Sequence, residues 1–521
     1  MAIKGFIGTM SPNLHTVIAI GIFVVCCGIA LALSFDVFRM RHISNETLSC
    51  PPHLVFTHEE TVQNPMETFE RAIRESEGVF TTHLGDKWRI QLAYIVSDEY
   101  TEFVFKDKEH FSFKSGVLSF LNVSFLQYVH GGSIMKDMDS LVTRCITRHL
   151  ETLVRRTGPI IRRRVTKLAT KQGGVAFDPL TLVGRAGAEA TISIVLGKKF
   201  LGGQNEEHIL DIAHAIADLA GMYKSESYFA RAFPTIWRYT NWLRIAVFRI
   251  GLKLTSSMGS SIWKEMTSLA NSGSEMTDKE NITILSFLVR EQVSPTLSSK
   301  GRLSLASRLW IITLCIIIIF ASVHQTVINT VWTLYELGSR PESQKLVRDE
   351  WESIISMAER EPKNSPTETY KLLWKKTVYL DSFIREVLRM KGEVLGSMRL
   401  TAKETQLGRY RISKGQYVLP IVSLSNRSER FHISPANKFN GARWVGKKSA
   451  ATIDSGYLAF GMGRWACPGR FLAIAEIKLL VLSLLSVAEI EVPPGTEIKF
   501  DKMDVAMTPP VGQLRLLPLR G

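Results

Sequence analysis

The chain has 521 residues, 45% of them hydrophobic and 9% aromatic, with 36 glycines and 19 prolines, which supplies a large core and excludes a disordered or fibrous protein. Its 64 basic and 49 acidic residues leave a net charge of +15, which suits an anionic partner such as a lipid headgroup or an acidic protein. The densest basic run (Arg155, Arg156, Arg162, Arg163, Arg164, Lys167, Lys171) lacks the interleaved aromatics and groove-reading signature that nucleic acid needs, and it reads equally as a solvated helix face. No internal repeat is visible. The six cysteines (Cys26, Cys27, Cys50, Cys145, Cys315, Cys467) form no CxxC pair, zinc spacing or disulfide framework, so a reducing compartment is expected for the main body.

In chain order, Thr16 to Phe35 is a continuous uncharged apolar run, close to the roughly 20 residues that span a bilayer as a helix. A cleaved signal peptide is the competing reading, but the apolar core is long for one. Arg39, Arg41 and His42 follow the run and only Lys4 precedes it, so the positive-inside bias places the large C-terminal body in the cytoplasm. The predicted organisation is a short lumenal N-terminus (1–15), an anchor (16–35), a linker (36–50) and one large body (51–521). The Asn-x-Ser/Thr triplets at Asn45, Asn122, Asn281 and Asn426 are then chance matches on the cytoplasmic side.

The body is predicted to be mainly α with small β-sheets. Amphipathic periodicity predicts helices near 138–168, 205–225, 341–359, 368–390 and 469–486. Leu309 to Tyr335 carries no charged residue and is long enough for a second span. Its interior His324, Gln325, Thr326 and Asn329 are costly in lipid, which favours a helix buried in the protein core. Between 397 and 420, short segments with turn residues predict a small sheet.

The chemistry concentrates in Phe460-Gly-Met-Gly-Arg-Trp-Ala-Cys467-Pro-Gly-Arg-Phe-Leu-Ala473. A lone cysteine is ordinarily a small buried hydrophobe. Here it follows glycines that let the backbone approach a flat ligand, and it precedes a helix whose N-terminus favours thiolate over thiol. The segment resembles the haem-binding loop of the cytochrome P450 family, and most of all its fungal-type microsomal members of secondary metabolism. That resemblance implies a cytochrome P450 fold behind one N-terminal transmembrane helix. It also implies haem b, with Cys467 as the axial thiolate and Phe460 in the cofactor loop. Where the family carries Arg or His two residues before the cysteine, this chain has Trp465, which leaves neighbouring Arg464 to contact a haem propionate.

Leu380-Asp-Ser-Phe-Ile-Arg-Glu386-Val-Leu-Arg389 resembles the family's buried Glu-x-x-Arg pair, and Phe439-Asn-Gly-Ala-Arg443-Trp444 offers Arg443 as the third member of a structural triad. Taken alone, Glu386 and Arg389 would be an ordinary helix ion pair. Arg399 is either a propionate ligand or a plain strand-face arginine. The family's usual early-helix Trp-x-x-x-Arg is missing, which leaves Arg144 as the nearest substitute. By resemblance, His324, Gln325 and Thr326 occupy the oxygen-activating groove, with His324 in place of an acid as proton relay. A buried core histidine is the bland alternative.

Three functions follow from this reading. The first is a monooxygenase fed by NADPH-cytochrome P450 reductase in the endoplasmic reticulum membrane, acting on a lipophilic terpenoid, meroterpenoid or indole-type metabolite. The second is an oxygen-independent haem-thiolate isomerase or dehydratase, suggested by Gln325. The third is a non-catalytic membrane binding protein.

Overall fold

The computed structural model describes residues 50–519 apart from 86–89, 122, 173, 220–232, 252–257, 272–280, 294–302 and 361–371. The anchor expected at 16–35 lies outside the described residues.

Helix α1 (Pro65–Glu75) leads into an antiparallel hairpin of β1 (Val79–Gly85) and β2 (Ile90–Val96). Helix α2 (Asp98–Lys106), strand β3 (Phe111–Ser112) and helix α3 (Phe113–Phe120) follow. The long helices are α4 (Leu150–Gln172), α5 (Pro179–Val195), α6 (Asn205–Leu219), α7 (Leu305–Gly338), α8 (Pro341–Arg360) and α9 (Val378–Met390). Strands β4 (Arg399–Thr401), β5 (Thr405–Leu407), β6 (Tyr410–Ile412) and β7 (Tyr417–Pro420) come next, then helix α10 (Arg470–Leu485) and the pair β8 (Glu489–Glu491) and β9 (Arg515–Leu517).

The strands expected at 397–420 are present but divided, with β5 and β6 pairing as a separate two-stranded sheet and β4 and β7 joining a larger one. Its order is β1-β2-β7-β4-β3, with β2 and β7 parallel (Ala93↔Tyr417 to Val96↔Pro420). A partner more than three hundred residues away leaves no local trace, so the hairpin's role in this sheet is a product of the fold.

Helix α7 is the axis of the main core. It is apolar on most faces and packs against α5, α6, α9 and α10. Gly187 of α5 permits the close approach, since a Cβ there would sit 3.1 Å from Val327 Cγ2. The helix is long and apolar enough to cross a membrane, yet its interior is wrapped by protein, which is the predicted core-helix reading. Beside it, Lys478 of α10 is buried against Asp381 of α9 (Nζ–Oδ1 2.5 Å), joining the helix that follows the cysteine loop to the helix that carries Glu386 and Arg389.

Two predicted helices are subdivided. The 138–168 segment is a helix ending at Leu141, a π-helical turn (Val142–Thr147) and α4. The 368–390 segment breaks at Thr377, whose hydroxyl donates to Leu373 O, before α9 begins. On α4, Arg162, Arg163 and Lys167 face solvent, whereas buried Arg156 donates to Ile282 O at 2.8 Å. Asn426 is 1% exposed, so its Asn-x-Ser triplet is unavailable to modifying enzymes.

Helix α3 docks on β4 through Gly116, where a Cβ would lie 2.3 Å from Met398 O and 2.8 Å from Arg399 Cα. Gly116→Ala must therefore separate the two elements, at about 1–3 kcal/mol. A lowered denaturant midpoint with unchanged slope is the expected result.

Candidate active site

The cysteine loop turns on two glycines. Gly461 (φ 66°) and Gly463 (φ 68°) occupy the left-handed region, and Gly463 lies against Lys106 and the Phe105 carbonyl of α2. Cys467 N donates to Phe460 O at 2.8 Å and closes the loop just before α10. The cysteine has accessible surface although it is deep in the protein, because that surface is the wall of an internal cavity. Burial pushes the Cys467 thiol up. The Gly469 N–H, the Arg470 charge and the Arg470 N–H oppose this without overcoming it. A metal cation bound to the sulfur would favour the thiolate in the same sense as these groups.

The cavity measures about 1930 Å³ and is walled mainly by apolar side chains. Drug-sized ligands occupy roughly 300–1,000 Å³, so there is room for a large flat group against Cys467 and a substrate above it. Helix α7 contributes Phe320, Ala321, Ser322, Gln325, Thr326 and Asn329. Small Ala321 and Ser322 open the middle of the helix to the cavity, with Gln325 one turn on.

His324 is not among these lining residues, which corrects its expected place in the groove. Val323 and His324 fall on the arc of the helix between Ser322 and Gln325 that faces away from the cavity. His324 instead turns into the core, with Nε2 2.8 Å from Met507 O and its ring stacked on Phe320 at 5.3 Å. Burial pushes its imidazole down to about 4, so it is neutral at physiological pH. The core-histidine reading describes its environment.

Arg399 does not line the cavity but lies directly behind its Phe105, Phe113 and Ser397 wall. Arg399 is 2% exposed and lies between the rings of Phe105 (4.5 Å) and Phe113 (4.7 Å). Its Nη1 donates to Ser397 O and Oγ at 3.0 Å, and among the described residues no carboxylate pairs with it. Burial without a counter-charge pushes the guanidinium down to about 9. Phe113 in turn stacks on Trp465 (5.3 Å, 11° between planes), and Arg464 lies 5.2 Å over the indole. Trp465 thus takes the family's basic position as one layer of a cation–aromatic stack.

Arg464 lines the cavity and is held there by Asp139 through Nη1 and Nη2 (3.1 and 2.6 Å), whereas the other expected basic contact is corrected. Arg144 points to solvent and pairs with Glu291 at 2.6 Å. The π-helical turn that carries it presents Val142, Thr143, Ile146 and Thr147 to the cavity instead.

The triad assembles as expected and proves larger. Glu386 accepts from Arg389 Nε (2.9 Å) and Nη2 (2.8 Å), and from Arg443 Nε (3.0 Å). Asn440 N and Trp444 Nε1, both at 3.0 Å, complete its shell. Burial pushes the Glu386 carboxyl up, but the Arg389 hydrogen bond and charge, with help from Asn440 and Arg443, hold it below the usual range. Sequence reasoning missed Trp444, which adjoins Arg443. It also missed Arg385, which adjoins Glu386, is fully buried between Trp444 and Tyr457, and bonds Asp454. Adjacency to a triad member was the available signal.

Glu386→Gln leaves two arginines short of charge and should cost about 3–5 kcal/mol, read as lost folded protein and lost haem. A carboxyl with a lowered folded pKa stabilises fully above its unfolded value and loses this as pH falls through the folded one. Wild-type stability should therefore drop below about pH 4.3, and the Gln variant should lack that share of the dependence.

Comparison with known proteins agrees with this geometry. The chain is 32% identical over 171 residues to the cytochrome P450 monooxygenase FSL4 of Gibberella zeae (32% of this chain, 30% of the relative). It is 28% identical over 192 residues to the cytochrome P450 monooxygenase olcJ of Penicillium canescens (35% and 34%). These matches span about a third of either relative's length. Among solved structures, the retinoic acid-bound cyanobacterial CYP120A1 shares the fold at a TM-score of 0.63 and 17% identity, over 91% of this chain and 100% of its own. The family profile described as Cytochrome P450 matches residues 50–516. With Cys467 opening on a cavity large enough for a flat cofactor and lined by α7, this chain belongs to the cytochrome P450 family of haem-thiolate monooxygenases.

Proposed function

We propose that this protein is a membrane-anchored monooxygenase that hydroxylates or otherwise oxidises a lipophilic secondary metabolite of terpenoid, meroterpenoid or indole type. Its electrons come from NADPH through cytochrome P450 reductase. The observation that carries this is the position of Cys467, which lines a large apolar cavity together with Ala321, Ser322 and Gln325 of α7. The fungal relatives named as monooxygenases support it. The uncharged run at 16–35 and the basic residues after it support a single-pass anchor in the endoplasmic reticulum membrane, with the 51–521 body on the cytoplasmic side.

Bound haem supplies the iron at which oxygen is reduced, one atom passing to substrate and the other leaving as water. The protein's residues do the rest. Cys467 would hold the iron, with Phe460 in its loop and the Glu386–Arg389–Arg443 triad keeping that loop in register. Arg399 would meet a propionate, whose charge would give its buried guanidinium the partner it lacks. Apolar side chains exclude water and orient a lipophilic substrate. Gln325 and Thr326 are the polar groups of α7 available to hold a water or pass a proton in the groove, without His324.

A second reading, an oxygen-independent isomerase or dehydratase, is favoured by one observation: His324 turns away, so no acid or histidine from α7 enters the groove. Turnover without a reductase would select it.

The reduced carbon-monoxide spectrum of the membrane fraction should show a strongly red-shifted Soret band that vanishes in Cys467→Ala. Absence of the band from folded, haem-supplied wild type would overturn the assignment. Gln325→Thr should leave that band in place and lower the hydrogen peroxide released per NADPH severalfold. Unchanged leakage would remove Gln325 from proton handling.

A further inference from the structure

The segment Met503–Thr508 belongs to no helix or strand, yet Met503, Asp504, Ala506 and Met507 form part of the cavity wall. Without a regular backbone ladder, its place depends on what satisfies its peptide groups. Three side chains from elsewhere do so. Trp332 Nε1 of α7 donates to Val505 O at 3.0 Å, and the Glu393 carboxylate accepts from Ala506 N at 2.8 Å. His324 Nε2 lies 2.8 Å from Met507 O.

A carbonyl only accepts, so His324 is the donor and carries its proton on Nε2. Its ring is held by the stacked Phe320, and Phe320 and Met507 themselves pack together with Leu121 and Ala217. Phe320 and Met507 both face the cavity. One imidazole therefore braces two wall residues, one through its ring face and one through its N–H. An ionised acid, which the resemblance would place at this position, has no proton to donate and would repel the Met507 carbonyl.

We propose that His324 is a positioning residue: its hydrogen bond to Met507 sets the shape of the cavity wall and so selects ligands by size. This rests on the haem-thiolate site and not on which reaction the enzyme performs.

The test uses the full-length, haem-loaded protein and two iron-binding probes, imidazole and the bulkier phenylimidazole, followed by the Soret shift. Imidazole reports the haem itself, and the ratio of the two affinities reports the wall. In His324→Asp and His324→Phe the ratio should move by about tenfold, or ~1.4 kcal/mol, with the carbon-monoxide band retained. His324→Gln keeps an N–H of similar reach and should restore the wild-type ratio. Met507→Ala perturbs the wall without touching α7. It should shift the ratio by itself, because the Met507 side chain is part of the wall, while the carbonyl that accepts from His324 is retained. An unchanged ratio in the Asp and Phe variants, or a Gln variant that behaves like Phe, would each overturn the proposal. So would increased peroxide leakage at an unchanged ratio, which would return His324 to a relay role. A wild-type protein with no imidazole shift would count against the haem site, a distinct failure from an unchanged ratio.

Discussion

The buried carboxylate of Glu386 is the constraint on which the rest of the site depends. It sits on α9 with no exposed surface and draws donors from two arginines, an indole and a backbone amide. A buried pair of this kind is weak evidence for stability in general, because desolvation offsets much of the attraction. Here its consequence is positional. Arg389 also donates to the carbonyls of Asn426 and Ala436, and Arg443 to those of Ile433, Pro435 and Lys438. Asn426 Oδ1 then accepts from Leu458 N at 3.0 Å, two residues before Phe460. Polar contacts thus run without a gap from one acid on a helix to the start of the cysteine loop, through a segment with little regular structure of its own.

The cavity wall and the layer just behind it carry two groups out of balance in opposite senses, Cys467 and Arg399. Burial pushes the Cys467 thiol up, against its anion, and pushes Arg399 down, against its cation. Neither shift is cancelled by a protein partner, and both follow from low polarisability around a charge that water cannot reach. A haem answers both at once, with a metal cation at its centre for the sulfur and carboxylates at its edge for the guanidinium. The fit of this site to its cofactor therefore rests on complementary electrostatic needs as well as on space.

Helix α7 shows how one element serves two purposes by phase. Its Ala321, Ser322 and Gln325 direction opens to the cavity, and its His324 direction is committed to the core and the Met507 carbonyl. The polar notch that argued against a membrane span is real, but its members look different ways. Gln325, Thr326 and Asn329 share the cavity, and His324 alone of the four is directed elsewhere.

The sequence by itself determined the local patterns: the glycine-flanked cysteine before α10, the Glu386–Arg389 spacing, the Arg443 segment, the length and apolarity of α7, and the strands at 397–420. Such features are set by neighbours a few residues apart, where periodicity and backbone preference act directly. Tertiary structure decided which face each residue shows and which partner it meets. It turned His324 inward, gave Arg464 to Asp139 and Arg144 to Glu291, brought Trp444 onto Glu386, and joined β2 to β7. Those outcomes depend on charges and strands far along the chain. A side chain's hydrogen bond goes to whichever partner the fold brings within reach, and no local pattern records that choice.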